Sequence, residues 1–514
     1  MTEDISADPM LVTTFPQMLR ATAAAYGEDA AVTLQGEGIH AESVSFAGIE
    51  RQSAVLAQGL LARGVGKGSR IGFIYGNGPS FAVLLAAIAR IGAVAIPIST
   101  MIRANELVRV LRQSDVAGLF VQRRFLGNDY AARLCDALPG LRDSGPELRI
   151  AEVPFLRWIV SSGEGLPASI HDFSYLTDVA DSVGEALLRE VEAEVSPADQ
   201  MVEIYTSGSM ALPKGVKHLH GPVMHRSHYV ARMAGHRRGA QVHVTLPLFW
   251  VGGLGVLLLS SWVAGATAVC TERTLNNSRV ALGSVLAEED IKQMAKGTLF
   301  WGLGMSETFG PYSRGDELRA PGYPLCSPID HVADRFELRV ADENDQPVAD
   351  GEIGEIQVRG YALTPALHKL EREGYFTADG FYHTGDQGLV QGKRVHFVGR
   401  GGDMIKTAGS NVSPAEVELE MQQLNGVHNA YVVGLPDAER GQLVVAAVVP
   451  RDGAVLDFEQ IQAQLKQRLS AYKVPRRYVA IAREEVPVLH SNKVSRRLLE
   501  GLLAEKLGMT VKPA

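Results

Sequence analysis

Residues 244–271 carry no charged side chain. A run of that length is enough to cross a bilayer, so it decides between a membrane fold and a buried core element. Pro247, four glycines (Gly252, Gly253, Gly255, Gly265) and the adjacent Ser260 and Ser261 interrupt it, and its near flanks lack a basic cluster. These breaks favour a strand, turn, helix and second strand folded into an interior. No transmembrane segment is expected.

The preceding chain alternates two periods. Residues 42–46 alternate as a strand with Val44 and Phe46 on one face, and 49–61 carry apolar side chains at helical spacing. Residues 70–75 read as a buried strand, 80–91 as a helix and 93–98 as the next buried strand. Such βαβ rhythm implies a wound α/β domain with a largely parallel sheet. Residues 161–200 turn polar and acidic, as a surface connection would, and 201–205 form a short strand.

From Phe336 onward, shorter strands and Gly/Asp turns suggest an antiparallel sheet. Ser413 to Glu416 form a capping box with proline at the first helical position, Gly426 closes that helix, and Asp457 caps another. The expected fold class is therefore α/β. A large N-terminal wound α/β domain with an added β-rich subdomain (1–402) precedes a small C-terminal α+β domain (403–514).

Composition narrows the function. Fifty basic against 58 acidic residues leave a net charge of −8, a poor match for nucleic acid. The three cysteines (Cys135, Cys270, Cys326) are odd in number and far apart, so neither a disulfide framework nor a thiolate zinc site follows. With an acidic first decade that lacks an apolar stretch, they point to the reducing cytoplasm. The 53 glycines follow no G-X-Y period, so they imply tight turns and backbone-lined sites.

Four motifs carry chemistry. In YTSGSMALPKGV (205–216) a strand ends in hydroxyls and glycine, and a lysine arrives six positions after Gly208. Successive N–H groups in such a turn form an anion nest, and Lys214 adds a point charge. A P-loop NTPase would need Gly-Lys-Ser/Thr before a helix, and Lys214 is followed instead by Gly215. Gly304, Met305, Ser306 and Glu307 place a hydroxyl beside a carboxylate, which suits a nucleotide phosphate with Mg²⁺. Asp386, in YHTGD, and Arg400, in GRGGD, could bind ribose hydroxyls, although taken alone these segments are better explained as two Gly/Asp turns. Lys493, in SNKVSR, is by itself a surface lysine.

In this order, with IGAVAIP at 91–97, PLFW at 247–250 and GEIQVRG at 354–360, the motifs make the chain resemble the adenylate-forming superfamily. That superfamily contains acyl-CoA synthetases, luciferases and peptide-synthetase adenylation domains, and fatty-acyl-CoA-synthetase-like members look nearest. The resemblance runs from about residue 15 to about 505. It implies that ATP with Mg²⁺ converts a carboxylic acid to acyl-AMP, and that the acyl group then passes to CoA.

By the motif match, Thr206, Ser207, Gly208, Ser209, Lys214 and Gly215 would cradle the β- and γ-phosphates. Ser306 would meet the α-phosphate and Glu307 would hold Mg²⁺. Asp386 and Arg400 would take the ribose, Leu303 would pack on the adenine, and Gly304 and Met305 would belong to the same ATP/AMP-binding segment. Lys493 would bridge the substrate carboxylate and the α-phosphate. Gly402 aligns with a hinge that lets Lys493 leave and Ala408 and Gly409 line the CoA channel. Trp250, Gly252 and Gly253 would border the acyl pocket, favouring a fatty, cyclic or other apolar acid.

Several departures bear on this resemblance. Met210 and Ala211 stand where relatives have Thr-Gly, Leu303 replaces a tyrosine that stacks on adenine, and Asn492 replaces a glycine. Between Trp250 and Gly304 the chain is shorter than its relatives usually are. A carrier-protein thiol in place of CoA, and a non-catalytic nucleotide- or partner-binding relative, are the alternative readings. His218, His220, His225, His228 and His236 could suggest a metal site, or simply punctuate a structural helix. Arg476, Arg477, Arg496 and Arg497 are either a solvated face or a contact for CoA phosphates.

Overall fold

The computed structural model describes residues 12–36, 41–102, 104–206, 214–272, 302–315, 327–392, 394–401, 405–407, 410–412, 414–437, 440–469, 473–488 and 494–509. Two compact units emerge, one holding 1–296 with 304–312 and 360–374, the other 297–303, 313–359 and 375–514.

The first unit begins with α1 (Phe15–Tyr26), β1 (Ala30–Leu34), β2 (Glu42–Ser45) and α2 (Phe46–Ala62). The strand expected to include Phe46 stops one residue earlier. Ser45 caps α2 there, its hydroxyl accepting from the Gly48 N–H at 2.9 Å, and the helix takes Phe46 into the core. Next come β3 (Arg70–Ile74), α3 (Pro79–Ala89), β4 (Val94–Pro97), α4 (Ala104–Gln113), β5 (Gly118–Val121), α5 (Tyr130–Ala137) and β6 (Trp158–Ser161). Helix α3 is buried nearly all round, since its stretch from Phe81 to Ala89 has no polar side chain to face water.

The 161–200 stretch is more than a surface connection. It holds α6 (Ser174–Ala180), which buries Leu176 and Ala180, and α7 (Glu185–Ala193), which buries Leu188 and a Glu192 paired with Arg90. Acidic side chains on the remaining faces gave it a loop-like composition. Strands β7 (Gln200–Thr206) and β8 (Lys214–Leu219) then form an antiparallel hairpin. They extend an otherwise parallel sheet of order β8-β7-β4-β3-β5-β6.

Helix α8 (His220–Ala234) leads to β9 (Gln241–His243), and the uncharged stretch follows. It runs through an irregular segment into a π-wound turn (Gly252–Leu259), α9 (Ser260–Val263) and β10 (Thr267–Cys270). Leu254, Leu258, Leu259 and Trp262 are buried. Strand β10 pairs in parallel with β1 and β9 in a second sheet of order β9-β10-β1-β2. Among the described residues no helix is long and apolar enough to cross a membrane.

The second unit is rich in antiparallel pairing, as the sequence suggests. Its first sheet has the order β11-β15-β14-β13-β12, built from β11 (Ser327–Ile329), β12 (Phe336–Ala341), β13 (Ile353–Gly360), β14 (Tyr382–Gln391) and β15 (Arg394–Arg400). A second sheet joins β16 (Ile405–Thr407), β17 (Ser410–Val412), β18 (Val427–Asp437), β19 (Gly441–Pro450) and β20 (Arg477–Ala480). Around it lie α10 (Pro414–Gln422), α11 (Phe458–Arg468) and α12 (Arg496–Leu507). Asp457 caps α11 as expected, accepting from the Gln460 N–H at 3.0 Å. Val417, Met421 and Leu424 pack with Ile461 and Leu465 on one core, and Leu499 and Leu503 on another. The expected domain boundary at 402/403 and the Ser413 cap fall outside the described residues.

Candidate active site

The β7–β8 hairpin brings the two ends of the phosphate-loop motif together, with Lys214 directly opposite Thr206 and Gly215 opposite Tyr205. Beside this pair lies Glu203, fully buried and the lone charged residue of its strand. Its carboxylate pairs with the Arg70 guanidinium at 2.6 Å and accepts from Gln200 Nε2 at 2.9 Å and Tyr205 Oη at 2.7 Å. Burial and this neighbouring carboxylate push the Tyr205 hydroxyl far above the usual phenol range, so it stays a donor. These groups explain the glycine after the lysine. A Cβ on Gly215 would sit 2.6 Å from Glu203 Oε1 and 2.8 Å from Tyr205 Oη.

A second tight turn carries the Ser/Glu motif. Gly304–Met305 pairs antiparallel with Gly310–Pro311, and Ser306–Thr308 makes one 3-10 turn between them. Thr308 is buried and donates to the Gly310 carbonyl at 2.7 Å. Phe309 has φ +49° and Gly310 φ +109°, which turns the chain back on itself. Phe309 lies edge-on to His218, 4.7 Å between centroids, and fills the space left by Gly255, whose Cβ would meet it at 2.6 Å. Burial pushes His218 down to about 3, opposed by a hydrogen bond to the Ser306 backbone. A neutral imidazole on β8 thus packs against Phe309 at the end of the Ser/Glu turn.

Residues 360–374 lie along the same hairpin. Thr364 N–H donates to the Glu307 carbonyl at 2.7 Å, and His368 N–H to the Gly215 carbonyl at 2.7 Å. The His368 ring lies 3.2 Å from Asp115 and 3.7 Å from Glu203. Desolvation is the main cause of its lowered pKa. Thr364 and His368 belong to no motif and the sequence reading missed them. Glu203 left one signal, a lone carboxylate in the strand that enters the loop.

At the expected acyl wall, Asn77 clamps the irregular segment by donating to the Leu246 carbonyl at 3.0 Å and accepting from Leu248 N–H at 2.8 Å. Trp250 is half-buried beside Phe249. Gly252 and Gly253 allow close packing, since their Cβ atoms would collide with Leu246 and with the Pro247 carbonyl.

In the second unit, Asp386 and Arg400 are cross-strand partners on β14 and β15. Asp386 is buried, and its N–H donates to Thr384 Oγ1 at 3.0 Å. The preceding Gly385, at φ +73°, donates to Glu355 at 2.8 Å. Leu303 N–H approaches Ser313 Oγ at 3.3 Å. Ser207, Gly208, Ser209, Gly402, Ala408, Gly409 and Lys493 lie outside the described residues.

The histidine-rich stretch divides among separate partners. His220 Nδ1 accepts from the Phe15 N–H at 3.1 Å, and burial pushes its pKa down to about 4. His225 lies edge-on to Tyr361, and His236 lies 3.3 Å from Ser260 Oγ. Among the described residues no group of three or more His, Cys, Asp or Glu gathers as a metal cage.

The sequence profile of AMP-binding enzymes matches residues 19–294, and that of the AMP-binding enzyme C-terminal domain matches 416–493. The chain belongs to the AMP-binding enzyme family. The first match contains the β7–β8 hairpin and the second ends at Lys493. Relatives in this family include indoleacetate–CoA ligase of Aromatoleum aromaticum, 28% identical, covering 88% of this chain and 92% of that one. Feruloyl-CoA synthase of an Amycolatopsis species is 27% identical, covering 84% and 89%. Among solved structures, an anthranilate CoA ligase in complex with anthranoyl-AMP superposes with a TM-score of 0.79 at 20% identity, over 98% of this chain and all of that one. The AMP-binding fold is thus shared at low identity.

Proposed function

We propose that this AMP-binding enzyme activates an apolar carboxylic acid with ATP to acyl-AMP, then transfers the acyl group to CoA. The observation carrying the reading is the hairpin that sets Lys214 opposite Thr206 at the two ends of the loop. It sits inside a family match shared with acid–CoA ligases. Relatives named for indoleacetate and ferulate support an acid with an apolar ring body, in line with Trp250 and the uncharged wall.

A carboxylate is a poor electrophile, and making AMP its leaving group corrects that. In the first step a carboxylate oxygen attacks the α-phosphorus in line and pyrophosphate departs, so positioning and charge neutralisation do most of the catalysis. Lys214 and the 206–214 loop hold the β- and γ-phosphates, Ser306 faces the α-phosphate, and Asp386 and Arg400 hold the ribose. Lys493 stabilises charge between carboxylate and α-phosphate. In the second step the CoA sulfur attacks the acyl carbonyl and AMP leaves, with Ala408 and Gly409 along the thiol's path.

Mg²⁺ supplies charge neutralisation at the phosphates when bound. The half-buried Glu307 on its tight turn fits that ion, which keeps several waters and takes one or two carboxylates beside substrate oxygens. We place the boundary between the large domain and the mobile domain at 402/403, with Gly402 as the pivot, and the enzyme in the cytoplasm. The test supplies ATP, Mg²⁺ and CoA with indole- and phenylpropenoid-type acids and follows AMP and thioester together. Stoichiometric AMP and acyl-CoA support the reading, and their loss in Lys493→Ala with the fold retained supports the lysine's role. AMP release without thioester redirects the second step to another thiol.

A further inference from the structure

The Ser/Glu turn is remote in sequence from β8, yet both belong to the first unit, as do residues 360–374. We propose that Thr364 is a positioning residue that keeps Ser306 and Glu307 in register with the strand bearing Lys214. The proposal rests on the adenylation reading above.

Thr364 reaches the Ser/Glu turn and β8 at once. Its N–H donates to the Glu307 carbonyl at 2.7 Å, and its hydroxyl shares one proton between the Lys217 carbonyl at 2.9 Å and the Ala366 carbonyl at 2.8 Å. Only 2% of the residue is exposed, so water cannot replace either bond. Pro365 follows and disfavours a helical backbone at Thr364. The next residues keep the segment along β8, through the bridge between Leu367 and Val216 and the His368 N–H bond to Gly215. His218, also on β8, lies edge-on to Phe309 directly after the turn, 4.7 Å between centroids.

The turn is therefore held to the strand by the Thr364 bond to Glu307 and by the packing of Phe309 on His218. Lys214 and Glu307 act on one triphosphate in the adenylation reading, so their spacing sets the line of attack on the α-phosphorus. A misplacement of about 1 Å can cost ~100-fold in rate. Thr364 touches no reacting atom and acts through the two backbones.

Thr364→Val keeps the branched shape and the N–H while removing the hydroxyl proton; Thr364→Ser restores it. Amide hydrogen exchange is read on peptides spanning 214–219 and 304–311, and ATP–pyrophosphate exchange gives kcat and KM. The valine variant is expected to exchange faster in both peptides and to lose about tenfold in kcat, with KM for the acid within about twofold. The serine variant should recover to within about twofold of wild type. Should valine prevent folding, Thr364→Ala takes its place in both measurements.

Unchanged amide exchange in both peptides overturns the tie, whatever the turnover. Loosened peptides with wild-type kcat, or a kcat loss that serine does not rescue, overturn the positioning role. A wild-type chain silent in pyrophosphate exchange with every acid removes the adenylation reading and the catalytic half of this proposal. Hydrogen exchange still decides the tie in that case.

Discussion

Two antiparallel hairpins, one in each unit, each set a pair of nucleotide-binding candidates opposite one another across the strands. In β7–β8 the pair is Thr206 and Lys214, at the closed end where the loop springs from the sheet. In β14–β15 the pair is Asp386 and Arg400, at the open end, with the turn after Gln391 at the other extreme. Their supports differ in kind. The β7–β8 hairpin rests on a buried carboxylate with an arginine ion pair and two donors, and on hydrogen bonds from residues 360–374. On the other hairpin the Asp386 N–H donates to the Thr384 hydroxyl and the Gly385 N–H to the partly buried Glu355 carboxylate. A hairpin that meets a triphosphate must hold a cation still against strong local charge, whereas one that meets ribose hydroxyls needs only a well-placed acceptor.

The largest expected difference between them lies in catalysis. Lys214→Ala should lower kcat/KM for adenylation by about 10²–10³, as loss of a transition-state charge donor does. A loss no greater than that from an Asp386 variant would break the contrast. Acidification should then act on the phosphate side, where His218 and His220 are buried. Their folded pKa values, about 3 and about 4, lie below the unfolded value near 6.5, so the unfolded chain binds the extra protons. Stability should fall as pH drops below ~6.5, by about 2 kcal/mol per histidine at pH 5. Denaturant melts of wild type and His218→Gln across pH 5–8 check this, and parallel curves would contradict it.

Gly215→Ala comes next. The added methyl must displace Glu203 or Tyr205, at an expected cost of about 1–3 kcal/mol with weakened ATP use. An unchanged melting point would mean that the carboxylate network yields freely. The smallest effect belongs to Asp386→Asn, expected to raise KM for ATP about tenfold with kcat nearly unchanged, because a neutral acceptor binds the ribose more weakly in ground and transition states alike. A kcat-only defect would assign Asp386 to the chemistry instead.

The sequence disclosed what is local. Strong periodicity made β3, α3 and β4 readable to within a residue or two, and dense small-residue motifs marked both hairpins before their register was known. The uncharged 244–271 run declared itself an interior through its proline and glycines, although its helix winds with a π pitch that periodicity does not reveal. What stayed hidden is non-local. Residues 161–200 looked like a loop because α6 and α7 bury only narrow stripes. Thr364 and His368 lie more than a hundred residues from the hairpin they brace, His368 through its main-chain N–H and Thr364 through a hydroxyl that belongs to no motif. Glu203 was visible as an oddity, and its role required knowing that Arg70 and Tyr205 converge on it.

The most direct test of the whole account is acid-dependent exchange of labelled pyrophosphate into ATP by the full chain with Mg²⁺, over a panel running from acetate through fatty to aryl acids. The account predicts exchange that needs the acid, favours the apolar members over acetate, and falls sharply in Lys214→Ala. A folded, nucleotide-binding chain that exchanges no pyrophosphate with any member would contradict it.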